Sequence, residues 1–250
     1  MHLLYLFYQL FIAAPLLLIL TIITATFIVV GCWLGDAHFW GYYPGKIWSK
    51  LFCYILLIPV RVQKQGNIRK DQSYVYVANH QGAFDIFLVY GFLGRNFKWM
   101  MKKGLRKLPF VGKASESAGH IFVDKSGPKK IQATINHARE VLQGGTSLVV
   151  FPEGARTFCG HMGYFKRGAF QLADELQLTV VPLTIIGSFQ ILPRFGKTIH
   201  WHPMTLIIHE PIPPIGKGAE NIKYLMETSY KAIDSGLPAE YQGFRENHDQ

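Results

Sequence analysis

The sequence predicts an α/β fold: a single domain with a central mixed, mostly parallel sheet flanked by helices, behind an N-terminal apolar helical membrane anchor. Three observations carry this. Beyond Ser73, short β-rich runs alternate with segments of helical period, the pattern of strand–helix–strand units. Polar and ionisable residues gather just past successive strands, at the edge where open α/β sheets bind ligands. From Leu3 to Gly35 no side chain is charged. The 250 residues suffice for one sizeable core with appendages, divided here into an anchoring region 1–62, an α/β domain 63–236 and a polar tail 237–250.

The uncharged stretch is too long for one straight span, since about 20 apolar residues cross a bilayer core. Two arrangements fit it. One is a tilted helix from Pro15 onward with an interfacial lead-in; the other is a helical hairpin bent near Ala14-Pro15 that enters one leaflet. A signal peptide is a poor match, because no Lys or Arg precedes the apolar run. Leu51 to Val60 is a second apolar run, too short to span alone. Trp40, Tyr42, Tyr43 and Trp48 between the two favour the headgroup zone. Lys46, Lys50, Arg61 and Lys64 all follow the long run, so the positive-inside rule places the rest of the chain on the cytoplasmic side.

The expected strands are Tyr74–Ala78, His120–Val123, Ser147–Phe151, Val180–Ile186 and Thr205–His209. The expected helices are Phe84–Leu93, Lys129–Leu142, Ala169–Leu176 and Asn221–Ile233, with Gly144-Gly145 as the C-terminal cap of the second. Pro211, Pro213 and Pro214 mark a surface crossing. The tail from Leu237 reads as loosely held.

The net charge of +10 requires an anionic partner. Arg95, Lys98, Lys102, Lys103, Arg106, Lys107 and Lys113 lie between Asp85 and Glu116 with no acid among them. No nucleic-acid-binding motif accompanies them, so nucleic acid is not an expected partner. Beside an apolar anchor, anionic membrane lipids fit better. Cys32, Cys53 and Cys159 supply neither a disulfide framework nor a C-x-x-C pair. His200, His202 and His209 read as surface or core histidines, because His200-x-His202 puts two rings on one strand face with no nearby Cys and no third ligand assured, and no metal site is expected. The Met100-Met101 pair reads as core or tunnel lining.

Two segments carry chemistry. Asn79-His80-Gln81-Gly82-Ala83-Phe84-Asp85 follows a strand and opens a helix. A histidine with its own orienting carboxylate can remove a hydroxyl proton near neutral pH. Residues five apart on a helix point about 140° from each other, so the pair meets only if the backbone turns between them, at Gly82. Phe151-Pro152-Glu153-Gly154-Ala155-Arg156 follows another strand, and its Pro and Gly favour a tight turn that presents Glu153 and Arg156. The Arg156 fork suits a phosphate dianion. Gly119-His120-Ile121-Phe122-Val123-Asp124-Lys125 is a weaker third segment. His120 and His161 lie close enough to these segments to be candidates for lining the same site.

Asn79-His80-x4-Asp85, Gly119-x-Ile121-Phe122-Val123-Asp124, Phe151-Pro152-Glu153-Gly154-x-Arg156 and Val181-Pro182-x-x-Ile185 occur in the order and approximate spacing of the four motif blocks of glycerolipid acyltransferases. The chain resembles the bacterial 1-acyl-sn-glycerol-3-phosphate acyltransferases among them, over residues 74 to 210. The segment Met101–Gly112 also resembles the basic stretch between their first two blocks. The resemblance implies His80 and Asp85 as the catalytic pair. It implies Arg156, Lys103, Lys102 and Lys125 on the substrate phosphate, with Asn79, Glu153 and Gly154 shaping the site. The acceptor is then the sn-2 hydroxyl of lysophosphatidic acid. Acyl-CoA or acyl carrier protein is the donor, with no further cofactor. The expected location is the cell inner membrane, with the catalytic domain on the cytoplasmic face. Two positions depart from the family pattern: Lys125 replaces the usual arginine, and Ala155 the usual threonine or serine. Acylation of another lysophospholipid or of glycerol 3-phosphate remains an alternative, as do a non-enzymatic basic membrane-binding protein and a metal-dependent phosphoesterase. Oligomeric state is left open.

Overall fold

The computed structural model describes residues 2–69, 71–124, 126–143 and 146–243. The chain begins with α1 (His2–Tyr8), a π-helical turn Gln9–Ala13 and α2 (Ala14–Leu34) in one continuous rod. Pro15 therefore does not bend the chain into a hairpin. It sits at the start of α2, and the widened turn before it absorbs the missing N–H. The reversal comes later, through Gly35, the short α3 (Ala37–Trp40) capped by Asp36, and α4 (Tyr43–Ile55). Gly31 is needed there, because a Cβ would collide with the Trp40 ring.

The two long helices run antiparallel, held by side chains across their whole length. Tyr5 and Tyr8 donate to the Leu56 and Ile55 carbonyls at 2.7 and 2.6 Å, and Trp48 Nε1 donates to Thr21 Oγ1 at 3.0 Å. Gln9 Nε2 reaches the Ile199 carbonyl at 2.9 Å, and Ala25 and Ile28 pack on Ala114 and Ala118. The segment Leu3–Leu34 is long and apolar enough to cross a membrane, by length and composition, and 22% of its most apolar stretch is buried. Its other face exposes Leu10, Phe11, Leu18, Ile19, Phe27 and Trp33. The run Leu51 to Val60 ends α4 and opens the sheet.

The sheet has seven strands in the order β1-β7-β6-β2-β5-β3-β4. In chain order these are β1 (Val60–Lys64), β2 (Val75–Ala78), β3 (Phe97–Lys102), β4 (Ile121–Val123), β5 (Ser147–Val150), β6 (Val180–Ile186) and β7 (Met204–Ile208). All pairings are parallel except β6 with β7, so the mixed, mostly parallel sheet is as expected. β1 and β3 are additions. A division after residue 62 cuts through β1, which belongs to the sheet. Its Arg61, Gln63 and Lys64 disguise it as a linker, yet charged residues suit an edge strand that must refuse further partners. In β3, Phe97 and Trp99 point inward, while Lys98 is half-buried and its ammonium donates to the Ala118 carbonyl at 2.6 Å. Met100 and Met101 pack against the two cores.

Helices cover both faces. Tyr74, Tyr76 and Ala78 face one layer with α4 and α5 (Asp85–Phe92). Val75 and Val77 face the other, with α7 (Pro128–Gln143), α8 (Gly168–Glu175) and α10 (Ala219–Gly236). This alternation is the strand pleat, and burial on both faces explains why β2 reads as a continuous apolar run. Fully buried side chains such as Leu88 and Phe97 each contribute roughly 1.5–3 kcal/mol. Between these elements lie α6 (Val111–Ser117) and α9 (Ser188–Ile191). The tail is anchored as far as it is described. Leu237 is buried in the second core, and the Tyr241 ring packs against His161 and Phe189. Gly144-Gly145 lies outside the described residues.

β2 to β6 present their C-terminal ends along one edge, which brings the residues after β2, β3, β4 and β5 to the same side. Asn79 locks this edge. Its amide donates to the Ile185 carbonyl at 2.9 Å and accepts from the Ile185 N–H at 2.8 Å, so the end of β2 is clamped to β6. Asn79→Ala strands two buried backbone groups, each worth about 1–3 kcal/mol when left unpaired. The expected result is a loss of roughly 2–4 kcal/mol in urea unfolding; a loss below about 0.5 kcal/mol would refute the clamp.

Candidate active site

The chain leaves β2 through Asn79, and the next residue is gripped on both sides of its backbone. His80 N–H donates to Glu153 Oε1 at 2.7 Å, and the His80 carbonyl accepts from Thr157 N–H at 2.8 Å. Its ring stacks on Phe151 at 4.0 Å between centroids, and Phe151 stacks in turn on Trp99. Backbone and ring are therefore both immobilised before any substrate arrives.

The chain then bends from Gln81 to Phe84 before α5 begins at Asp85, the turn that the five-residue spacing demands. His80 Nδ1 and Gly82 N–H both meet Asp85 Oδ2, at 2.7 and 3.0 Å. Asp85 is fully buried at the N-terminus of α5, where a carboxylate is favoured by the helix dipole. Such a carboxylate holds the proton of a neutral imidazole on Nδ1, leaving the Nε2 lone pair as a base. The His80 side chain is 16% exposed, so the base is reachable but shielded. Gly82 is glycine for a reason other than φ. A Cβ there would press on Ser188 Oγ and the Ser188 carbonyl, and only a hydrogen fits.

Glu153 faces inward and positions backbone. Oε1 takes the His80 N–H, and Oε2 takes the Gly163 N–H at 2.9 Å. Burial pushes its carboxyl up to about 8, against the pull of those two donors. Gly154 turns the chain at φ +74°, a conformation that suits glycine, with its N–H on the Phe151 carbonyl at 3.0 Å. Arg156 follows, half-buried. It lines a cleft of about 340 Å³ together with Glu153, Ala155, Phe158, Tyr164, Lys166 and Arg194.

The other predicted cations sit elsewhere on the edge. Lys102 ends β3 and Lys103 follows it, two strands from β2 and hence about 10 Å away. Neither lines the Arg156 cleft. Lys103 Nζ pairs with Asp124 at 2.8 Å, and with Ser126 it holds that carboxyl well below the usual range. Lys125 lies outside the described residues. His120 does not line the Arg156 cleft. It accepts the Trp99 N–H at 3.3 Å beside an apolar slot between α2, α4 and α6, and burial lowers it to about 3. His161 is buried against Tyr241, with Nδ1 at 3.3 Å from the Gly243 carbonyl. Lys166 and Arg194 were missed because both lie outside the four blocks, and only the fold brings them to Arg156.

A raised Glu153 has a definite sign. Its folded state holds the proton more tightly than the unfolded chain, so its contribution to stability is present below about pH 4.5 and is lost as pH rises through about 8. Glu153→Gln removes the titration. Melting temperatures at pH 5.5 and pH 8.5 should therefore diverge less in the variant than in the native protein. Equal pH slopes in both would exclude a raised Glu153.

A family model described as Acyltransferase matches residues 59–186, which hold all four blocks. A chloroplastic 1-acyl-sn-glycerol-3-phosphate acyltransferase of Arabidopsis thaliana is 31% identical over 201 residues, covering 76% of this chain and 56% of the relative. One from Chlamydomonas reinhardtii is 31% identical, covering 69% and 51%, and one from Helicobacter pylori is 33% identical, covering 56% and 59%. The chain thus spans a little over half the length of these relatives. The crystal structure of the 1-acyl-sn-glycerophosphate (LPA) acyltransferase from Thermotoga maritima superposes with a TM-score of 0.76 at 28% identity, covering 93% of this chain and 95% of that one. With six of its seven strands, its histidine turn and its arginine turn inside the matched region, the chain belongs to the acyltransferase family.

Proposed function

We propose that this protein transfers a fatty acyl group from a thioester donor, acyl-CoA or acyl carrier protein, to the sn-2 hydroxyl of 1-acyl-sn-glycerol 3-phosphate, giving phosphatidic acid. The observation that carries the reading is the His80–Asp85 pair, 2.7 Å apart, with Nε2 of the imidazole left as the base. The acceptor hydroxyl gives its proton to Nε2 as its oxygen attacks the thioester carbonyl. Asp85, already bonded to Nδ1, stabilises the imidazolium that forms. The tetrahedral adduct then breaks its C–S bond, and the imidazolium returns the proton to the departing thiolate. No side chain becomes acylated, and the acceptor takes the place that serine holds in a hydrolase triad.

Arg156 is the group that meets the acceptor phosphate, through a planar fork matched to two phosphate oxygens. Lys102 and Lys103 supply positive potential along the same sheet edge and draw anionic headgroups toward it. Asn79, Glu153 and Gly154 hold the two turns in register.

The N-terminal hairpin supports membrane attachment. The rod is about 48 Å long at 1.5 Å per residue, and it packs against the domain from Tyr5 to Ile28. A helix bound along its length to a charged domain cannot stand across a bilayer while that domain stays in water. The reading is that it lies in one leaflet with its exposed Leu, Ile and Phe face in the acyl region. The basic residues that follow it favour the cytoplasmic face of the inner membrane.

Purified protein given lysophosphatidic acid and acyl-CoA, or acyl carrier protein, is expected to release free thiol. His80→Ala should remove at least 10³-fold of that rate, and Asp85→Asn should lower it by about 10³- to 10⁴-fold at preserved fold. Absence of thiol release by the native protein with either donor and any common lysophospholipid would end the enzymatic reading.

A further inference from the structure

We propose that Arg194 is a positioning residue for the acceptor phosphate, holding Arg156 in place and adding a second guanidinium that selects phosphate-bearing over neutral acceptors. This rests on the acceptor reading above. Arg194 lies beyond the last of the four sequence blocks, in a tight turn closed by the Gly196 N–H on the Pro193 carbonyl at 3.0 Å. The turn is fixed to the sheet edge through α9, where the Leu192 N–H bonds the Ser188 carbonyl at 3.1 Å and the His200 N–H the Ile191 carbonyl at 2.9 Å.

From there Arg194 Nη1 donates to the Arg156 carbonyl at 3.2 Å, so the residue bearing the first fork is held by the second. The Arg194 guanidinium carbon lies 4.1 Å from the Phe158 ring centroid and 5.5 Å from that of Phe195. Aromatic faces orient a guanidinium without neutralising it. Among the described residues neither Arg156 nor Arg194 has a carboxylate within 4.0 Å, in contrast to Lys103, Arg106 and Arg139. The one acid lining the cleft, Glu153, spends its two oxygens on the His80 and Gly163 N–H groups. Two cationic forks held by backbone and aromatic contacts, in a cleft beside the base, match a phosphate monoester carrying −1.5 to −2 charges.

The kinetic test compares the native protein with Arg194→Ala and Arg194→Lys, using lysophosphatidic acid and monoacylglycerol as acceptors. Arg194→Ala should raise KM for lysophosphatidic acid about 10- to 100-fold, with a much smaller fall in kcat. The preference for lysophosphatidic acid over monoacylglycerol, as a ratio of kcat/KM, should drop by at least about tenfold. Arg194→Lys should recover part of the KM loss, because charge returns without the fork and the ring stacking. A parallel arm measures binding of glycerol 3-phosphate without any donor, where the variant should bind about tenfold more weakly or worse. Equal losses on both acceptors, or unchanged KM and unchanged glycerol 3-phosphate binding, would overturn the assignment. If the native protein fails to acylate lysophosphatidic acid, the functional reading falls by itself, and the binding arm still decides the role of Arg194.

Discussion

The site depends on a buried carboxylate that is kept 2.7 Å from an imidazole nitrogen. Burying Asp85 completely is unfavourable by itself, and three features offset it: the His80 ring, the Gly82 N–H and the start of α5. Each of those partners needs support in turn. The imidazole is stacked on Phe151 while its backbone is held by Glu153 and Thr157, and Gly82 reaches the carboxylate because it can lie flat against Ser188.

That arrangement is possible because the parallel strands of the sheet open on one edge. β2 delivers the histidine and β5 delivers the arginine turn beside it, with Glu153 as the tie between them. Glu153 is thus a strut within the site: an inward carboxyl that bonds two backbone N–H groups and fixes two loops at once. Asn79 performs the corresponding task toward β6, through the backbone of Ile185 at the end of the Val181-Pro182-x-x-Ile185 segment.

The N-terminal hairpin and the site belong to one structure. α2 packs on α4 and α6, and α4 packs on α5, the helix that begins with Asp85. The rod is thereby tied, through α4, to the helix that begins with Asp85.

Much of this was legible in the residues alone. Alternating and continuous apolar runs marked five strands and four helices, and the His80–Asp85 spacing required a turn that the structure contains. β1 and β3 were hidden because their lysines and arginine resemble a basic linker, and lateral pairing outweighs local composition. Of the two arrangements open for the N-terminal stretch, the bend near Ala14-Pro15 does not form, because a π-helical turn accommodates that proline.

The sequence by itself determined which ionisable groups lie together: a histidine with a carboxylate five residues on, and a Glu-Gly-x-Arg turn, each at a strand end behind an apolar helix. Only the tertiary structure decided their company. It tied Lys103 to Asp124, moved His120 into an apolar slot and brought Lys166 and Arg194 beside Arg156. Spacing along the chain governs geometry within one turn, whereas contacts between distant residues follow from strand order and crossover path, which local residue patterns do not encode.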